Sequence, residues 1–143
     1  MKKRMISLAC AFLLMINVCG AAAAGITPRA SDYFSCTAVY ATAMGGGKVL
    51  VEFDIDATHT MLEVGATDVY IYEQQSNGDY ENVYTFTSDE YYSDMMDTNS
   101  AFGNGEVTYQ GISGRKYFAT VAVYARDSKG SETRYYDTYV VTA

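Results

Sequence analysis

A strict alternation of apolar and acidic side chains is the feature that most limits how this chain can fold. Within residues 48–57, every second position is apolar and most of the positions between are acidic. The apolar positions are Val49, Val51, Phe53 and Ile55, and the acidic ones are Glu52, Asp54 and Asp56. Successive side chains of a β-strand point to opposite faces, so this pattern predicts a strand with one buried and one wet face. Such strands are typical of antiparallel sheets.

Six more segments rich in Val, Thr and Tyr predict further strands, at residues 35–43, 68–73, 82–87, 106–110, 116–125 and 133–141. Asn77-Gly78 predicts a tight hairpin turn between the third and fourth strands, because both residues tolerate positive φ. No segment predicts a helix. We therefore expect an all-β fold, with residues 35–143 forming a single antiparallel sandwich of about seven strands.

Residues 88–105 break the strand pattern. They are polar and acidic, with Asp89, Glu90, Asp94 and Asp97, and we expect a long loop here. Calcium favours oxygen ligands of this kind. However, Ala101 and Phe102 occupy positions where an EF-hand loop needs an oxygen ligand and a glycine. Calcium binding by this loop stays open, but we predict no metal site and no cofactor.

The N-terminus predicts export. Residues 1–24 combine Lys2-Lys3-Arg4, an apolar stretch and a run of four alanines, which is the pattern of a cleaved signal peptide. Residues 25–34 then predict a short flexible leader. No later apolar run is long enough to span a bilayer. The expected product is secreted and extracellular, with no membrane attachment after cleavage.

Cysteine and charge usage narrow the class of protein. Cys36 is the single cysteine after the predicted cleavage site, so a disulfide framework is not expected. Loss of the three basic residues near the N-terminus reduces the basic residues from 10 to 7 against 17 acidic ones. An acidic surface repels phosphates. We therefore expect no nucleic-acid partner.

The stretch from Gly111 to Lys116, followed by Tyr117 and residues 118–125, resembles the last third of a fibronectin type III or related immunoglobulin-like domain. The resemblance implies a β-sandwich over residues 35–141. It also implies that Tyr117 is a corner tyrosine whose hydroxyl bonds to upstream backbone. The chain consists of a predicted signal peptide and one short, tyrosine-rich β-domain. In this overall organisation it resembles small secreted proteins of Gram-positive bacteria.

Catalytic chemistry has little support in the sequence. His59 is the single histidine, and no nucleophile turn accompanies it. Cys36 and His59 stay open as a thiol–imidazole pair. Asp54 and Asp56 share a strand face, but their place in the alternation predicts a solvated surface. We predict no catalytic residue and no enzyme activity.

The aromatic residues indicate recognition. All 14 tyrosines follow residue 24, and tryptophan is absent. We expect Tyr70 and Tyr72 to form a cross-strand ladder with Tyr84 and Phe86 on the face opposite the core. These residues either form the second half of the core or a ladder that stabilises the sheet, or they serve as a flat platform for a ligand. The candidate ligand-binding residues are Tyr70, Tyr72, Tyr84, Phe86, Tyr91 and Tyr92.

These sequence features are consistent with three hypotheses for the function. The leading one is surface recognition or adhesion, with a protein or glycan partner bound through the aromatic face or the loops. The first alternative is a structural, self-assembling protein that pairs through edge strands. The second is a small secreted enzyme or enzyme inhibitor.

Overall fold

The computed structural model describes residues 31–143, which form seven antiparallel strands and one helical turn. The elements are β1 (Phe34–Gly45), β2 (Lys48–Gln74), β3 (Tyr80–Thr87), α1 (Tyr92–Met95), β4 (Met96–Gln110), β5 (Lys116–Arg126), β6 (Ser131–Asp137) and β7 (Val141–Thr142). The prediction of an all-β fold is confirmed. The predicted signal peptide and residues 25–30 of the predicted leader lie outside the described residues.

β2 organises the sheet, because it is one strand of 27 residues where the sequence predicts two. Its first half lies between β1 and β4, and its second half lies between β3 and β5. Its pairing is irregular between Asp56 and Met61 and again between Ala66 and Asp68. Such irregularities bend a strand. All seven strands therefore belong to one sheet that curls into a half-barrel, rather than to two separate sheets.

The core fills the concave side of this curled sheet. The predicted apolar row of β2 is buried, and so is the inward row of β5. These rows are Val49, Val51, Phe53 and Ile55 on β2, and Tyr117, Ala119, Val121 and Val123 on β5. Met61, Val64 and Met95 complete the core where β2 bends. Burial of these side chains is the main driving force for the fold.

The expected loop at 88–105 is mostly structured. After a turn, α1 occupies four residues and β4 begins at Met96. Glycine permits the close packing here. A Cβ on Gly65 would lie 2.1 Å from the carbonyl oxygen of Met95, and one on Gly105 would lie 2.2 Å from that of Asp94. Gly105 thus lets β4 pack closely against Asp94 of α1.

The last predicted strand is divided in two. β6 ends at Asp137, and β7 contains two residues. Between them, the buried Thr138 bonds Ala119 twice. Its backbone N–H donates to the Ala119 carbonyl at 2.9 Å, and its hydroxyl accepts the Ala119 N–H at 3.0 Å. Within residues 31–143, no helix has the length and apolar character needed to cross a membrane.

Candidate functional site

An aromatic surface covers the convex side of the second half of the sheet. We call it the outer aromatic face. Its members are Tyr70, Tyr72, Tyr80, Phe118, Tyr124 and Tyr135. Strand alternation produces it, because Val69 and Ile71 point into the core and Tyr70 and Tyr72 therefore point out. Phe118 lies directly opposite Tyr72 on the neighbouring strand β5.

Phe118 is the centre of this face. Its ring stacks on that of Tyr72, with centroids 4.8 Å apart and planes 7° apart. The ring of Tyr80 meets it edge-on at 5.0 Å. Aromatic pairs favour these offset-stacked and edge-to-face geometries. Each of the three side chains is half-buried. The result is a preformed group of rings that needs little further ordering to accept a ligand.

Hydroxyl groups border the rings. Burial and then the nearby carboxylate of Asp68 raise the pKa of Tyr70, so its hydroxyl stays protonated at neutral pH. Tyr135 on β6 also faces Tyr70 and is 66 % exposed. The face therefore offers both flat apolar area and hydrogen-bond donors.

The predicted ladder of Tyr70 and Tyr72 with Tyr84 and Phe86 is wrong. In the β2–β3 pairing, Phe86 lies opposite Val69 and Tyr84 lies opposite Ile71. Residues directly opposite each other in an antiparallel pair share a face. Tyr84 and Phe86 therefore point to the core side, while Tyr70 and Tyr72 point to solvent.

Tyr84 and Phe86 belong instead to a second group, which we call the inner aromatic chain. It runs Tyr91, Phe86, Tyr84, Tyr109 and Tyr117, with neighbouring ring centroids 4.7–5.9 Å apart. Phe86 is 6 % exposed, while Tyr84 reaches solvent at the edge strand with 38 %. A hydrogen bond with Tyr84, followed by burial, raises the pKa of Tyr91 to about 12.

The inner aromatic chain ends at a buried polar contact. The Tyr117 hydroxyl donates to Oε2 of Glu73 at 2.6 Å and accepts the backbone N–H of Ile112 at 2.8 Å. Nη1 of Arg115 binds the other carboxylate oxygen of Glu73 at 2.5 Å. The backbone bond to Ile112 is the contact expected of a corner tyrosine. Burial, with the bond to Glu73, raises the pKa of Tyr117.

Tyr92 joins neither aromatic group. Its hydroxyl donates to Oε1 of Glu63 at 3.1 Å, and Arg126 holds the second oxygen of that carboxylate at 2.9 Å. These bonds lower the pKa of Glu63, with the bond from Arg126 contributing most. Tyr92 is therefore held by a hydrogen bond to Glu63, whose carboxylate also forms an ion pair with Arg126 at the bend of β2.

The imidazole ring of His59 contacts two side chains, those of Thr58 and Asp127. The Thr58 hydroxyl donates to the Asp32 carbonyl at 2.6 Å, and its oxygen lies 3.0 Å from Nδ1 of His59. Nε2 lies 3.0 Å from Oδ2 of Asp127. Both ring nitrogens of His59 therefore lie within hydrogen-bonding distance of a neighbouring side chain. The contact joins β2 to the turn between β5 and β6.

The remaining candidates lie on the surface. Cys36 is exposed on β1. Asp54 and Asp56 are exposed on the outer side of the first half of β2, as the alternation predicts. Among residues 31–143, no group of three or more His, Cys, Asp or Glu side chains is arranged to hold a metal ion.

Sequence reasoning missed four members of the candidate site: Tyr80, Phe118, Tyr124 and Tyr135. The signal for Phe118 was present, since an inward Tyr117 requires an outward neighbour. Tyr80 depends on the hairpin turn, which spans residues 75–79 and has positive φ at Gly78 but not at Asn77. Tyr135 depends on the pairing of β6 with β5, which local sequence does not specify.

No protein-family model matches the chain. A search of curated proteins likewise found no match at the significance required.

Proposed function

We propose that this chain is a secreted, non-enzymatic β-domain that acts in surface recognition or adhesion, binding a glycan or protein through the outer aromatic face. The observation that carries the proposal is the stacked pair of Tyr72 and Phe118, extended by Tyr80, on the convex side of the sheet. Rigid aromatic rings with polar tips give large contact area at low entropic cost.

The surroundings of the face favour a ligand without negative charge, because the Asp68 carboxylate lies close to Tyr70. The acidic row of Asp54, Asp56 and Glu106 lies on the other half of the sheet, outside the aromatic face. Ring faces bordered by tyrosine hydroxyls suit a sugar ring or the apolar part of a protein surface, because both combine flat apolar area with hydrogen-bonding groups. The 17 acidic residues outnumber the 7 basic ones that remain after the proposed cleavage, and this negative charge disfavours an anionic ligand.

Secretion and an immunoglobulin-like relationship belong to the same proposal. Export rests on the basic, apolar and alanine-rich pattern of residues 1–24. The relationship rests on the bond of Tyr117 to the Ile112 backbone and on the antiparallel pairing of β5 with β2 and β6. The single curled sheet departs from the two-sheet form.

The test compares two phenylalanines on the convex side of the sheet. Wild-type protein, Phe118→Ser and Phe102→Ser are each applied to a printed array of neutral glycans and to immobilised extracellular-matrix proteins. Phe102 is the matched control, because it is 63 % exposed on the half of the sheet that carries the acidic row. Circular dichroism and thermal unfolding check that each variant is folded.

We expect wild type and Phe102→Ser to bind the same targets and folded Phe118→Ser to lose at least tenfold in affinity. A set of glycan targets identifies a sugar-binding surface, and a set of protein targets identifies a protein-binding one. Retained binding by folded Phe118→Ser contradicts the proposal, and so does wild-type protein that binds no target.

A further inference from the structure

β1 is an edge strand with an unusually unprotected backbone. It spans 12 residues and pairs with β2 along one side. No strand among residues 31–143 pairs with its other side. A free strand edge presents a row of N–H and C=O groups that can pair with another strand.

The other long edge strands carry charges, and β1 does not. Charged side chains on an edge oppose pairing between molecules. β3 contains Glu81, and β4 contains Asp97 and Glu106. β6 contains Glu132 and Asp137 together with an arginine. Residues 34–45 contain no charged residue and no proline.

The geometry of β1 also favours pairing. Its register with β2 runs without interruption from Cys36 to Ala43, and its irregularities lie at its two ends. Bulges in the middle of an edge would twist it away from a partner. On the outward side, Tyr40 is 53 % and Met44 is 58 % exposed. The central eight residues are therefore regular, uncharged and accessible.

We propose that β1 is a self-association edge, which pairs antiparallel with β1 of a second copy and so joins two curled sheets. The partner is a second copy of this acidic chain. Among the long edge strands of residues 31–143, only β1 contains no carboxylate, so two copies can pair there without placing like charges on the paired strands. In such a dimer, the acidic rows of the two β2 strands are three strand spacings, or about 14 Å, apart. This distance exceeds the screening length of about 8 Å at physiological ionic strength.

The test is sedimentation velocity of the purified protein from low to high micromolar concentration, with two tyrosine variants. Tyr40→Lys places a charge in the middle of the edge, opposite Glu52, which helps the monomer accommodate it. Tyr135→Lys is the control, because Tyr135 is 66 % exposed on β6, an edge that already carries charges. Amide hydrogen exchange at the same concentrations locates any protected strand.

We expect wild type and Tyr135→Lys to dimerise with increasing concentration, with rising amide protection in β1. Folded Tyr40→Lys should associate at least tenfold more weakly. Lower salt should weaken the wild-type dimer. Three results would overturn the proposal: a wild-type monomer at all concentrations, equal association by Tyr40→Lys, or protection that rises in β3 or β6 instead of β1.

Discussion

The outer aromatic face and the inner aromatic chain are built from the same residue types and have different surroundings. In the outer face, Phe118 contacts both Tyr72 and Tyr80 on the convex side of the sheet, and each of the three remains partly accessible. The inner chain runs from the protein edge to the fully buried Tyr117, whose hydroxyl is bonded to Glu73. Both groups are rich in aromatic residues, so aromatic content does not distinguish them. What distinguishes a candidate binding residue from a structural one is whether its ring is accessible to solvent or packed into the core.

The largest expected difference is between two consecutive residues. Tyr117→Ala should reduce the free energy of unfolding by about 4 kcal/mol, because a large ring is lost from the core. Phe118→Ala should cost about 1 kcal/mol, because its ring lies at the surface of the sheet and is only partly buried. Urea denaturation of both variants provides the measurement. Equal losses would remove the distinction between the two aromatic groups.

A smaller difference concerns hydroxyl groups. Tyr117→Phe removes a donor to the buried Glu73 carboxylate and the acceptor for the Ile112 N–H, and we expect a loss of about 2 kcal/mol in unfolding free energy. Tyr72→Phe on the outer face is the control, with an expected change within about 0.5 kcal/mol. Urea denaturation again tests both. An unchanged free energy of unfolding in Tyr117→Phe would show that the two hydrogen bonds of the Tyr117 hydroxyl contribute little to stability.

The stacked pair of the outer face should show a measurable coupling. A double-mutant cycle of Tyr72→Ala and Phe118→Ala should give about 1 kcal/mol of interaction free energy. The cycle of Tyr72→Ala with Tyr84→Ala should give none, because those rings lie on opposite sides of the sheet. Coupling of equal size in the two cycles would contradict the assigned faces.

The smallest effect expected is on stability at alkaline pH. The pKa of Tyr91 is raised from 10.0 to about 12 in the folded protein, so the folded state keeps a proton that the unfolded chain loses. The contribution of Tyr91 to stability should therefore be constant below pH 10 and fall as the pH rises from 10 towards 12. Tyr91→Phe should show a shallower fall in urea unfolding measured across this range. An unchanged slope would refute the role of the Tyr84–Tyr91 hydrogen bond.

Much of the core could be predicted from sequence, because alternation is a local property. The inward rows of β2 and β5 follow directly from the spacing of Val, Ile, Phe and Tyr, and both are buried. The continuity of β2 could not be predicted in this way. Thr58, His59 and Thr60 are exposed in succession and interrupt the period of two, although the backbone stays extended.

The first residues of β4, from Met96 onwards, could not be predicted as a strand for a different reason. Gly103 and Gly105 weaken strand propensity, and they are required by close contacts to Val64 and Asp94 that exist only in the folded protein. The assignment of Tyr84 and Phe86, by contrast, was recoverable from the sequence. A two-residue turn at Asn77-Gly78 already pairs odd-numbered residues of β2 with even-numbered residues of β3, which places both side chains on the core side.

The most direct test of the central claim is the binding of Tyr72→Ser and Tyr84→Ser to whichever glycan or matrix protein the wild type captures. These two tyrosines lie on adjacent strands of one hairpin and point to opposite sides of the sheet. If the outer aromatic face is the binding surface, folded Tyr72→Ser loses at least tenfold in affinity and Tyr84→Ser binds like wild type. Retained binding by Tyr72→Ser, with loss in Tyr84→Ser, would contradict it.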